Sequence, residues 1–497
     1  MSDIAQISEW PDYSTNPRGG NPITQDLTSP YDKGDLAWMA VCTILCWQIT
    51  PAVGFLYAGM HRRKAALTMV HMSNNLKCYR TMADRTAIQV FQSLFCACAC
   101  GIQFWLYGYS LYQSRPTNPM LGNLSLGVLH NVLAYPSLAN SDIPDLVYAC
   151  FGFTFVTATA MILAGAMLER GRLMPSMVFL LCWTTFVYYV LAYFEWNPNG
   201  WLYKMGVLDF AGSGPVHIAS GFGALAWSML LGPRLSDSPL SSQKKIAHFK
   251  PHNPTLLTLG TILIWFGWFA FNGGSTANMS LRSIYVMINT NLAACGGGLG
   301  WPLFEYIHNR KISIVGFCSG IISGLVGITP AAGFVPVYVA ALIGFLTSIC
   351  SFYTKKFSYL ISVDEGLDIW AIHGMGGYVG DILTGFFAAS WVPALDGVTG
   401  NSSPGGWWER NWIQMGYQLA AATTCAAWSF GVSCILLFII NKIPGMHLRA
   451  TEEDEIRGLD YKYFDDAEWE IMGESGTLEG VRVQYPLDGT NRQQTKQ

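Results

Sequence analysis

"LDFAGSGPVHIASGFGALAW", Leu208 to Trp227, sets one histidine, His217, among glycine, alanine and serine in a run otherwise apolar enough for a bilayer. A polar ring is costly in hydrocarbon, so its presence marks either a structural hydrogen bond or an ion or proton route. The rest of the chain supplies the setting. Of 497 residues 51% are apolar and only 12% charged, and the mean hydropathy of +0.29 excludes an ordinary soluble domain. The fold class is an all-α polytopic membrane protein. Eleven apolar runs are close to bilayer length, near 36–57, 90–112, 145–168, 175–196, 214–231, 256–271, 284–307, 312–328, 335–353, 369–391 and 414–440.

Loop charge orients them. Counting from the loop after the first run, alternate loops hold 16 Lys and Arg and the others 4, which places the basic set in the cytoplasm. With eleven spans the N-terminus is then outside and the C-terminus inside. The chain divides into an external segment 1–35, a membrane domain 36–442 and a cytoplasmic tail 443–497. The first segment has four prolines and no basic stretch leading into an apolar one, so no cleavable signal peptide is expected. The tail reads either as solvated or as a regulatory segment that docks on the cytoplasmic face. Sequons at Asn123, Asn278 and Asn401 fall in loops placed outside.

His217 has a counterpart. His373, in "DIWAIHGMGGYVGDI", lies in the tenth run as His217 lies in the fifth. Matching positions in two five-span halves imply an inverted five-plus-five repeat with one extra helix, an architecture whose substrate path runs where the halves meet. Two imidazoles can bond to each other and still leave a donor or acceptor for a guest. Catalytic zinc needs about three protein ligands, and no third stands near in sequence, so neither a metal nor a membrane-embedded metalloenzyme is favoured. Asp209, eight residues before His217, either holds a cation or caps the helix start; Asp368, five before His373, has the same ambiguity. Phe151 and Phe155 are one helical turn apart in the third run, Phe271 ends the sixth, and Trp196 and Ser275 stand at outer ends. Each is more often packing than function, yet such aromatics can also attract a cation.

"GFLYAGMHRRK", "FWLYGYSL", "GAMLERGRL", "GVLDFAGSGPVHI", "FKPHNPTLLTLGTILIWFGWFAFNGGS", "CSGIISGLVGITPAAGFV" and "VDEGLDIWAIHGMGGYVGDILTG" together resemble the ammonium transporter and methylammonium permease superfamily, nearest its fungal high-affinity branch. The resemblance runs from Leu36 to Tyr463. It implies a plasma-membrane homotrimer, not an enzyme, with one pore per subunit for ammonium or methylammonium and neither cofactor nor nucleic-acid partner. By resemblance His217 and His373 are twin pore histidines, Phe155 and Phe271 a stacked gate, and Trp196, Ser275 and Phe151 the external recruitment site. Asp209 is then mainly structural. A sensor that also conducts is a compatible extension, and a Rhesus-type gas channel is the nearest alternative.

One stretch departs from that pattern. "HMSNNLKCYRTMADRTAIQV", residues 71–90, interrupts an otherwise continuous apolar run from Val70 to Phe91 and brings in Lys77, Arg80, Asp84 and Arg85. It reads either as an atypical insertion in the first cytoplasmic loop or as an intron translated in frame.

Overall fold

The computed structural model describes residues 18–60, 91, 94–115, 118–168, 170–235, 253–397, 403–457, 459 and 463. The segment 71–90, Asn401 and the tail beyond 463 lie outside the described residues. Among the described residues the main helices are numbered here as α1 Lys33–Met60, α2 96–113, α3 Asp145–Met167, α4 Leu173–Met205 with a break at 197–200, and α5 Ser213–Leu231. They continue as α6 Pro254–Gly274, α7 Leu281–Asn309, α8 Ile314–Ile328, α9 Val337–Leu360, α10 370–387 and α11 Ile413–Lys442. Seven of these (α1, α3, α4, α5, α6, α9 and α11) are long and apolar enough to cross a membrane, and α8 is a shorter apolar helix. Extended pairing among the described residues is limited to isolated bridges. The protein is thus a helical membrane protein, as composition requires.

Helix starts follow local chemistry. Asp32 accepts from Asp35 N at 2.9 Å ahead of α1, and Asn253 accepts from Thr255 N and Leu256 N ahead of α6, whose first residue is Pro254. Ser280 and Ser283 form a reciprocal capping box at α7. The apolar runs end a few residues from these boundaries, because hydropathy does not register caps; the tenth run, read to 391, is helical only to Phe387.

Among the described residues, π-helical turns lie in α2 (Cys96–Cys100 and Phe104–Gly108), α4 (Thr184–Tyr188), α5 (Ser213–Ile218) and, last, α10 (Trp370–Met375). Such turns widen a helix locally and re-aim its side chains, and they concentrate at functional sites. The last two carry His217 and His373. Helices α5 and α10 cross where Gly221 meets Gly374: a Cβ on Gly221 would lie 2.1 Å from Gly374 N and 2.2 Å from its Cα. Only hydrogen fits there, so the two histidine-bearing helices approach backbone to backbone.

The described part of the tail is docked. Arg172 N donates to Leu448 O and Ala450 N to Arg170 O, which bridges the tail to the loop before α4. Arg449 donates to Leu231 O and Pro233 O beyond α5 and pairs with Glu455 at 3.0 Å, while Glu455 accepts from Leu235 N. Arg234, in the same loop, forms a two-pronged ion pair with Asp364. These bonds hold residues 447–455 against both loops, because Arg449 satisfies carbonyls left open at and just beyond the C-terminus of α5.

Candidate functional site: a histidine pair beneath stacked aromatic rings

The π-turn of α5 begins where Gly212 adopts φ +106°, a conformation open to glycine. Asp209 sits just before it. Its Oδ1 accepts from Gly212 N (2.9 Å) and Ser213 N (2.8 Å), and its Oδ2 from Gly214 N (3.1 Å). These are the orphan donors of a helix start, so the cap geometry, not a free cation-binding carboxylate, is what Asp209 presents.

At α10 the ambiguity over Asp368 resolves differently. Asp368 does not cap α10; it pairs with Lys355 of α9 at 2.5 Å. The cap is Glu365, eight residues before His373 as Asp209 is eight before His217, accepting from Ile369 N (2.5 Å) and Trp370 N (2.8 Å). The extra methylene of Glu lets it reach across the turn from outside the helix. Burial pushes the Glu365 carboxyl up to about 7 against the lowering pull of the Trp370 N–H. Its neighbour Asp364 behaves oppositely: burial works against its charge, but the hydrogen bonds and charge of Arg234 prevail and hold it below the usual carboxylate range.

The two caps aim the histidines at each other. His217 Nδ1 and His373 Nδ1 are 3.2 Å apart, so one ring donates to the other. His217 is fully buried, and its Nε2 has no hydrogen-bond partner among the described residues. Trp268 stacks on the His217 ring at 5.3 Å and 13°, and is itself anchored by donating from Nε1 to Thr329 Oγ1 at 3.0 Å. A neutral imidazole with one free nitrogen in an apolar sleeve can bond a small neutral amine.

Phe271 lies 6.3 Å from His217 and stacks on Phe155 at 4.0 Å and 24°. Trp196 meets Phe155 edge-on at 5.8 Å and Phe151 meets it at 5.0 Å. Ser275 caps the end of α6, donating its hydroxyl to Phe271 O at 2.8 Å and keeping lone pairs for another partner. The structure thus brings His217, His373, Phe155, Phe271, Phe151 and Trp196 into one chain of ring contacts, with Ser275 and Asp209 at its margins. Sequence reasoning missed Trp268, although it stands three residues before Phe271 and so shares its face of α6. It missed Glu365 too, whose spacing to His373 repeats that of Asp209 to His217.

A family model described as the Ammonium Transporter Family matches residues 37–469. The chain belongs to the ammonium transporter family. Ammonium transporter 1 of Schizosaccharomyces pombe is 42% identical to it over 442 residues, covering 89% of this chain and 83% of that protein. Ammonium transporter MEP2 of Saccharomyces cerevisiae is 40% identical, covering 89% and 84%. Among solved structures, that of Candida albicans Mep2 superposes with a TM-score of 0.80 at 40% identity, over 95% of this chain and 98% of that one. In this ammonium transporter the ring stack and the histidine pair form one continuous series of side-chain contacts contributed by α3, α4, α5, α6 and α10.

Proposed function

We propose that the chain transports ammonium, as its relatives named ammonium transporters do, and does so across the plasma membrane. It recruits NH4+ at Trp196, Ser275 and Phe151, removes a proton at the Phe155–Phe271 stack, and passes NH3 along His217 and His373, with the proton following. Eleven spans in an inverted five-plus-five arrangement, N-terminus out and C-terminus in, and a homotrimer with one path per subunit complete the reading. The docked tail is the place for a cytoplasmic regulator and for any sensing role.

The observation that carries it is the imidazole pair under the stacked rings. Ammonium and potassium carry the same charge, so a charge filter passes both. An apolar sleeve makes a bare cation lose its hydration at a cost of several kcal/mol, far above the roughly 0.5–2 kcal/mol that an aromatic face returns. Ammonium escapes this by giving up a proton, which potassium cannot do. Ring faces at the mouth therefore serve attraction, and the sleeve serves rejection.

The test is methylammonium uptake in yeast lacking its own ammonium permeases, with potassium as competitor, for the wild-type chain and for His217→Ala and His373→Ala. Saturable, potassium-insensitive uptake by the wild type and its loss or altered selectivity in the variants is expected. Unchanged saturable, potassium-insensitive uptake in both variants overturns the assigned roles.

A further inference from the structure

Close to the gate, but outside the ring stack, lies a set of buried carboxyls that the pathway above does not use. Glu195 of α4 immediately precedes Trp196. Its Oε1 accepts from the Cys425 thiol of α11 at 3.1 Å, and its Oε2 is buried with no hydrogen-bond partner among the described residues. Asp381 of α10 is 1% exposed, and among the described residues neither of its oxygens is within hydrogen-bond geometry of a partner. Glu195, Asp381, Asp209 and Cys425 lie within electrostatic reach of one another around the first turn of α5. Among the described residues neither Glu195 nor Asp381 is in an ion pair with Lys or Arg.

Two bare carboxylates so placed cannot both persist, because each loses its hydration and repels the other. A proton or a cation must neutralise them. A metal cation needs several oxygens converging on one point, and the described residues hold no cluster of His, Cys, Asp and Glu so arranged. Space is also short: a Cβ on Gly214, whose own N–H goes to Asp209, would lie 2.2 Å from Glu195 Oε1. A proton needs no coordination shell.

We propose that Glu195 and Asp381 form a buried proton-holding site that accepts the proton released by ammonium, with the half-buried Asp209 as its link to the mouth of the path. The inference rests on ammonium being the substrate. At rest one of the two carboxyls holds a proton and the other is the carboxylate. In the step, one N–H bond of NH4+ breaks, its electron pair stays on nitrogen to give NH3, and the proton forms an O–H bond on the remaining carboxylate; nothing is oxidised or reduced. The Cys425 thiol, as donor to Glu195 Oε1, directs the incoming proton to Oε2 or to Asp381.

The experiment uses the full-length protein in proteoliposomes, with two readouts. Infrared difference spectra on exchanging potassium chloride for ammonium chloride should show gain of a protonated-carboxyl band that shifts in D2O, diminished in Glu195→Gln and in Asp381→Asn. Currents evoked by an ammonium jump should fall by about tenfold or more in both variants, the scale on which a positioned proton acceptor acts, and recover in part in Asp381→Glu. Cys425→Ala keeps both carboxyls, so it should shift the band without abolishing it, which covers the case in which a carboxamide variant fails to fold. Wild-type currents in folded Glu195→Gln and Asp381→Asn, or a carboxyl band the same in all variants, overturns the site and leaves the transport reading intact. A wild-type protein with no ammonium-evoked current or methylammonium uptake overturns the transport reading itself.

Discussion

Replacing Gly221 by Ala tests whether the crossing of α5 and α10 sets the histidine pair. A Cβ there would lie 2.1 Å from Gly374 N, 2.2 Å from Gly374 Cα and 3.1 Å from the His373 carbonyl carbon. Relaxed non-bonded contacts need about 3.5 Å, so the helices must part locally by roughly 1 Å or more. The neighbours are backbone atoms, which cannot rotate out of the way. The 3.2 Å contact between His217 and His373 then opens to about 4 Å, beyond hydrogen-bond reach. Overpacking of this kind costs about 1–3 kcal/mol. Misplacement by about 1 Å costs aligned chemistry one to two orders of magnitude, so methylammonium uptake per surface molecule should fall at least about tenfold. Gly431→Ala in α11 is the control, since a Cβ there meets nothing within 4 Å; it should transport normally and be neutral or stabilised by up to about 1 kcal/mol. Uptake and thermal unfolding of Gly221→Ala equal to those of the wild type would refute the reasoning.

Other outcomes follow from the same geometry. Asp209→Ala strands three N–H donors and should lower stability by about 2 kcal/mol or more, while Asp209→Asn, keeping one acceptor oxygen, should fall between, as read by fluorescence-detected thermal unfolding. Because folding raises the Glu365 carboxyl to about 7 from an unfolded value near 4.5, its favourable contribution is full below that lower value and fades as pH rises through about 7. The pH-dependent drop in unfolding temperature over that window should therefore shrink in Glu365→Gln. For Asp364 the sign reverses: held low by Arg234, it stabilises above the unfolded value near 4 and loses this as pH falls through its folded one, so Asp364→Asn should be destabilised most at neutral pH. Arg449→Ala loses its bonds to Leu231 O, Pro233 O and Glu455 and should expose the segment after Lys442 to limited proteolysis without lowering the unfolding temperature of the membrane domain by more than a few degrees.

Composition and hydropathic length decide that this chain is helical and spans a membrane, since a bilayer tolerates only backbones whose hydrogen bonds close within the segment. Spacing also reaches into the site: the matched places of His217 and His373, and the interval from Asp209 to His217, are legible in the linear order. So are the apolar runs that became α1 and α3 to α11. Three-dimensional contact decides the rest. No periodicity tells that Trp268 covers His217, that Gly221 rests on Gly374, or that Asp368 turns to Lys355 and leaves the cap to Glu365, because each is settled by which helix faces which. The burial of Glu195 and Asp381 is likewise silent in sequence; a carboxyl reads as solvated until the surrounding helices remove its water.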